Sequence, residues 1–351
     1  MSVSSRKVKL NCTFQSIDLY GEEHLFRHGA RTPVETYNSD PYKNYQWPDG
    51  LGSLTNAGKL QLYELGKKYR SYYANFIPEE YCEKDVYIRS SDKSRCLMSA
   101  YTFLAGLYPP TERQMWHPEL PWQPVPVHSL PRKLDNVATK PCKVWKAMYN
   151  ELLAEKNADP KFTELFDYLS KHTNQSMRSV LPVDFLYSTL LAEQEAGLKL
   201  PEWTRTVFPS KMRMPFMLSF NCNSIPPRVP KIKGLDRQTD NKVILYGFLT
   251  HENVDRSLYV YSGHDVTVVS LWRAFGFTDL LEPEYGASIV LELHEDIEQE
   301  AFFSRNYFLP FCLFCTKTVL SIKFKMIFLE SPYKVLLFRF FSYFLNLWFK
   351  S

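Results

Sequence analysis

Arg27-His28-Gly29-Ala30-Arg31-Thr32-Pro33 places two guanidinium groups and one imidazole on a single sharp turn. Such a cluster suits an anion. An arginine fork matches the oxygens of a phosphate, Gly29 lets the backbone come close, and Pro33 stops the preceding segment from continuing as regular structure. An imidazole between two permanent cations has its protonated form disfavoured, so His28 tends to stay neutral and able to attack. Alone, a short basic turn is more often a solvated surface feature. Its meaning depends on what the rest of the chain brings to it.

Working outward, Glu22-Glu23-His24-Leu25-Phe26 leads into the turn as a short and unusually polar strand, weak material for a sheet centre. Residues 37–53 are rich in Pro, Gly, Asn and Asp and read as a loop. Thr55 then caps a helix over 56–75, with Leu62, Leu65, Tyr69, Tyr72 and Phe76 at helical spacing as its core face. Asp85-Val86-Tyr87-Ile88 is a second strand that runs into Arg89 and a basic turn, followed by a helix through Leu97, Ala100, Tyr101 and Leu104. Arg95, on the same turn, reads as a salt-bridge partner of Asp92 and is left outside the site. The proline cluster from Pro109 to Pro131 is extended or looped. A third strand, Leu258-Tyr259-Val260-Tyr261, ends in Ser262-Gly263-His264-Asp265 before another helix.

Three strands ending in ionisable side chains predict an α/β fold. Its central, mostly parallel sheet is flanked by helices, and a helical cap lobe is inserted in the chain. In such sheets ligands bind beyond the carboxyl ends of the strands, so Arg27, His28, Arg31, Arg89, His264 and Asp265 are expected in one crevice. The expected division is an irregular 1–20, a core over 21–135 and 250–300, the cap lobe over 136–249 and an atypical tail over 301–351. The tail stands out because twelve of the 25 phenylalanines fall within it and Glu330 is its one acidic residue. Lys and Arg residues interrupt every apolar run there, which leaves a membrane anchor as the minority reading.

The 351 residues carry a formal charge of +4 without a long basic run, so nucleic acid is not the expected partner. Of the seven cysteines only Cys312 and Cys315 have CxxC spacing, with no second such pair and no nearby histidines, which speaks against zinc. Asn11-Cys12-Thr13 and Asn174-Gln175-Ser176 fit the N-glycosylation pattern, yet the first twenty residues hold no apolar run of a signal peptide.

The turn at 27–33 with the distant His264-Asp265 resembles the histidine acid phosphatases. The likeness extends to Gly50-Leu51-Gly52-Ser53-Leu54-Thr55, to Tyr87-Ile88-Arg89-Ser90-Ser91-Asp92 with Arg95, and to Trp122-Gln123-Pro124-Val125-Pro126-Val127-His128. These look like the prostatic, lysosomal and insect-venom acid phosphatase group, over about residues 25–295. The resemblance implies a metal-free and cofactor-free phosphomonoesterase of phosphoglycerate-mutase-like fold, acting on small phosphomonoesters or phosphoproteins. It makes His28 the nucleophile and Asp265 the proton donor, with Arg27, Arg31, Arg89 and His264 holding the phosphate. It further implies an acidic optimum, a secreted or lysosomal location, a homodimer, and a disulfide at Cys142. A phytase-like inositol phosphatase and a non-catalytic phosphate binder are the alternatives. Departures from the family are the polar strand before the turn, the lack of an entry signal, and a tail standing where the last strands are expected.

Overall fold

The computed structural model describes residues 17–131, 135, 143–223, 256–274, 277, 279–296, 301–309 and 322–326. Seven strands form one sheet: β1 (Ile17–Arg27), β2 (Val86–Ser91), β3 (His128–Leu130), β4 (Leu258–Gly263), β5 (Ser288–Asp296), β6 (Ala301–Leu309) and β7 (Ile322–Met326). Their order is β3-β2-β4-β1-β5-β6-β7. β3, β2, β4 and β1 are parallel neighbours, and β5, β6 and β7 continue the sheet by antiparallel pairing. The helices are α1 (Asn56–Tyr72), α2 (Ser94–Leu107), α3 (Lys143–Asn157), α4 (Thr163–Thr173), α5 (Val180–Glu195), α6 (Arg213–Asn223) and α7 (Asp265–Ala274). This is a mixed, mostly parallel α/β sheet flanked by helices. α3 to α6 share their own apolar core around Phe166, Leu169, Val183, Leu190 and Phe216, and residues 136–142 and 224–249 of the expected lobe lie outside the described residues.

α1 starts where the sequence places it. The Thr55 hydroxyl accepts from Gly58 N and donates to the Ala30 carbonyl, which ties the helix cap to the basic turn. The contact between turn and helix leaves no room for side chains. A Cβ on Gly29 would lie 2.4 Å from Gly58 O, and one on Gly58 would lie 2.2 Å from Ala30 O. On the core face Leu62, Leu65 and Tyr69 are buried as expected, but Tyr72 is exposed and Tyr73 continues the stripe.

Two expectations about the ends of the core are corrected. The polar strand is the middle of the sheet: β1 begins at Ile17, inside the segment expected to be irregular, and lies between β4 and β5. The sheet accepts Glu22, Glu23 and His24 because burial removes their charge rather than pairing it. Burial raises Glu22 well above the usual carboxylate range, with Glu292 acting in the same direction. It raises Glu23 to about 8 and lowers His24 to about 3. His24 stacks on Tyr69 at 4.2 Å between ring centroids. The composition change at 301 is likewise no structural boundary for the strands, since β5 and β6 pair along nine residues across it. Residues 310–321 and 327–351 lie outside the described residues, and no described helix is long and apolar enough to cross a membrane.

The buried acids make stability depend on pH. The folded-state pKa of Glu23 lies above its ordinary value of 4.5, so its contribution is fully present below about pH 4.5 and is lost as the pH rises towards 8. Partial exposure tempers the loss to on the order of 2 kcal/mol at neutral pH. Glu23→Gln should therefore raise the melting temperature at neutral pH and leave it nearly unchanged near pH 4.5. Equal destabilisation at both would mean that the carboxylate has a partner.

Candidate active site

β1 and β4 lie side by side with Arg27 in register with Gly263, and His28 N donates to Gly263 O at 3.0 Å. That register brings the basic turn after β1 against His264 and Asp265, which follow β4. α2 flanks the same edge, where Ser99 Oγ accepts from Gly29 N at 3.1 Å. A Cβ at position 263 would meet Thr267 at 3.1 Å, so the tight passage from β4 into α7 favours glycine there.

His28 is 2% exposed. Its Nδ1 lies 2.9 Å from Gly29 O, and its Nε2 lies 3.0 Å from Arg95 Nε. A carbonyl only accepts and a guanidinium N–H only donates, so the contacts define one neutral tautomer with the proton on Nδ1 and the lone pair on Nε2. Electrostatics agrees. Burial first, then Arg95, Arg27 and His264, hold its pKa well below the usual histidine value.

Arg27 is buried and held on three sides. Its guanidinium donates to Pro283 O at 2.7 Å, pairs with Asp265 at 2.9 Å and lies 4.2 Å over the Tyr285 ring. Arg31, also buried, donates to its neighbour's carbonyl, Thr32 O, at 3.0 Å. His264 lies edge-on to His28 at 5.5 Å and shares a 2.9 Å hydrogen bond with Ser91 Oγ. Burial and then Arg95 lower it to about 4. Asp265 opens α7, and its Oδ1 accepts from Val266 N at 2.7 Å. Burial opposes its charge, but Arg27, His264, the Val266 N–H and Arg31 together hold it below the usual carboxylate value.

Five of the six expected residues therefore meet: Arg27, His28, Arg31, His264 and Asp265. Arg89 does not join them. It pairs with the buried Asp135 at 2.8 Å and lies within β2 opposite Tyr261 and His128, before the strand end. Arg95, expected to serve Asp92, takes the position against His28 instead. From the second position of α2 its side chain reaches the crevice, whereas the strand pleat commits Arg89 to the sheet face. The sequence did hold a signal: the first turn of α2 has no acidic residue, and a cation there opposes the helix dipole, so Arg95 needs another reason to be present. Tyr285 and Ser91 were also not singled out. Of the other histidines, His24 is in the core and His128 stacks on Tyr87 at 4.9 Å.

The model of the histidine phosphatase superfamily (branch 2) matches residues 23–224 of this chain. The chain belongs to that family. Among curated relatives, the prostatic acid phosphatase of Bos taurus is 32% identical over 289 residues, covering 77% of this chain and 72% of the relative. Human lysosomal acid phosphatase is 32% identical over 290 residues, covering 78% of this chain and 66% of the relative. A venom acid phosphatase of Apis mellifera is 32% identical over 280 residues, 77% of this chain and 72% of the relative. Among solved structures, a phytase from Citrobacter braakii superposes with a TM-score of 0.61 at 16% identity, covering 83% of this chain and 85% of that one. Hafnia alvei phytase gives 0.60 at 16% identity, covering 83% and 84%. The structural likeness shows a shared fold. The curated relatives of this branch 2 phosphatase support an acid phosphatase, a phosphoric monoester hydrolase, over the phytase-like alternative.

Proposed function

We propose that this branch 2 phosphatase hydrolyses phosphate monoesters in acid through a phosphohistidine on Nε2 of His28. The observation that carries the reading is the buried neutral imidazole, with its Nε2 lone pair facing Arg95 and with Arg27 among the charges that hold its pKa down. Substrate phosphate enters between the three guanidinium groups, and Arg95 exchanges His28 Nε2 for a phosphate oxygen, freeing the lone pair. Nε2 attacks phosphorus, the ester P–O bond breaks, and the Asp265 carboxylic acid gives its proton to the leaving oxygen. Asp265, now a carboxylate, then takes a proton from water as that water attacks the phosphohistidine, releasing inorganic phosphate and neutral His28. Fixed cations oppose the charge spread over the equatorial oxygens in both steps. His264, kept neutral and oriented by Ser91, adds a donor without adding a charge.

The acidic optimum rests on Asp265. Its depressed pKa means that its proton is present only in acid, while His28 needs no deprotonation there. Brief exposure to a phosphate ester labelled in its phosphoryl group, followed by a denaturing quench, should leave acid-labile, alkali-stable label on His28. Label on another residue, or none during turnover, would overturn the reading.

Arg95 and not Arg89 belongs to this chemistry. Arg95→Ala should lower kcat/KM by about 10²-fold or more, the scale of one preorganised donor, whereas Arg89→Ala should lower it less than about tenfold, through loss of the Asp135 pair. Steady-state kinetics with an aryl phosphate checks both. A larger loss in the Arg89 variant would restore the sequence-based assignment. The lysosomal and venom relatives, together with exposed Asn174 in its glycosylation motif, support an acidic compartment on the secretory route for this chain too.

A further inference from the structure

Tyr285 takes no step in the chemistry proposed above, yet it borders the two groups on which that chemistry rests. Its ring centroid lies 4.2 Å from the Arg27 guanidinium carbon and 5.9 Å from the centroid of the His28 imidazole. The residue is 8% exposed, so the ring is part of the wall of the site and not a surface group. Backbone contacts fix where it stands. The segment before β5 is stitched to the catalytic turn, with Arg27 N donating to Ala287 O at 2.9 Å and Gly286 N donating to His28 O at 3.3 Å. Gly286 has a φ of +75°, a conformation that suits glycine and lets the chain turn from Tyr285 into β5.

Arg27 shows what the ring is for. Its guanidinium makes two contacts through N–H groups, Nη1 to Pro283 O at 2.7 Å and Nη2 to Asp265 at 2.9 Å, while its Nε is buried with no hydrogen-bond partner. Of the two contacts the ion pair is not constant, because Asp265 holds a proton when it acts as an acid and the pair then loses its charge. A carbonyl oxygen and an aromatic face do not titrate. The negative face of the ring attracts the cation from a direction that neither N–H contact covers, and it does so in buried surroundings, where such a contact is strongest.

We propose that Tyr285 is a positioning residue for phosphate capture: the face of its ring holds the Arg27 guanidinium in the phosphate site, and its hydroxyl takes no part. This rests on the phosphatase reading above and adds a residue to it.

The test varies the charge on the ring face at nearly constant shape. Inorganic phosphate is the probe, and its dissociation constant is measured in mildly acidic buffer for the unaltered protein, for Tyr285→Phe, and for proteins carrying mono-, di- and trifluorophenylalanine at position 285. Each fluorine withdraws electron density from the face and so weakens its attraction for a cation. Tyr285→Phe should bind phosphate within about twofold of the unaltered protein, and affinity should then fall with every fluorine, to about fivefold weaker at three. Tyr285→Leu, which removes the face altogether, should bind about tenfold more weakly. The fluorinated series preserves the packing and decides the matter if the leucine variant does not fold. Affinity independent of fluorine, a phenylalanine variant as weak as the leucine variant, a loss confined to kcat with phosphate binding intact, or no phosphate binding by the unaltered protein would each overturn the proposal. Binding needs no turnover, so failure of the phosphatase reading is read separately, as phosphate binding by the unaltered protein without hydrolysis of 4-nitrophenyl phosphate.

Discussion

His28→Ala should lower kcat on any phosphate monoester by about 10⁴-fold or more, because the nucleophile is the one group whose role no neighbour duplicates. Its companions act by charge, and three guanidinium groups share that task, so removing one leaves two. His28 alone offers a lone pair: His264 is turned towards Ser91, and Asp265 towards Arg27 and the Val266 N–H. The Cys96 thiol lies 3.7 Å from His264 Nε2 but is buried, and burial pushes it up to about 11, which leaves it protonated and unable to substitute. Because His28 is 2% exposed, alanine also leaves a cavity. His28→Asn separates the two effects. Its side-chain amide N–H keeps the donation to Gly29 O, yet it carries no nucleophilic nitrogen. Both variants should lose activity alike, the asparagine variant with the smaller loss of melting temperature. Substantial turnover by the asparagine variant would remove His28 from the chemistry.

What was legible in the sequence was whatever is encoded locally. Thr55 announced a helix start and is one, because capping depends on the backbone within three residues. The turn after β1 and the turn after β4 were recognisable as anion chemistry, and their meeting followed from the parallel sheet that short strands and intervening helices imply. The reading failed where an answer depends on direction or on distant partners. Arg89 and Arg95 are six residues apart in one basic segment, and only the pleat of β2 and the first turn of α2 decide which reaches His28. The polar strand misled for a different reason. Sequence gives Glu22, Glu23 and His24 their ordinary charges, whereas the folded sheet removes those charges by burial, which depends on β4, β5 and α1 surrounding them. The phenylalanine-rich segment drew attention by composition, but strand pairing uses backbone groups, and residues 301–309 pair as any strand does.

Asp265→Asn should divide substrates by their leaving groups. An alkoxide is a far stronger base than a nitrophenolate, so breaking an alkyl ester P–O bond requires a proton on the leaving oxygen, and breaking a nitrophenyl ester bond hardly does. On an alkyl phosphate the amide variant should lose about 10³-fold in kcat/KM, and on 4-nitrophenyl phosphate less than about tenfold. The second half of the reaction is common to both substrates and lacks its base in the variant. Phosphohistidine should therefore accumulate, and 4-nitrophenol should appear as a burst of about one equivalent per site before a slow steady state. Arg27 constrains the interpretation, since at 2.9 Å it loses a charged partner in this variant. A freed Arg27 holds phosphate more tightly, which lowers KM and slows phosphate release, but it treats both esters alike. The discriminating quantity is thus the ratio between the two substrates. An equal loss on both, without a burst, would assign Asp265 to holding Arg27 in place rather than to moving a proton.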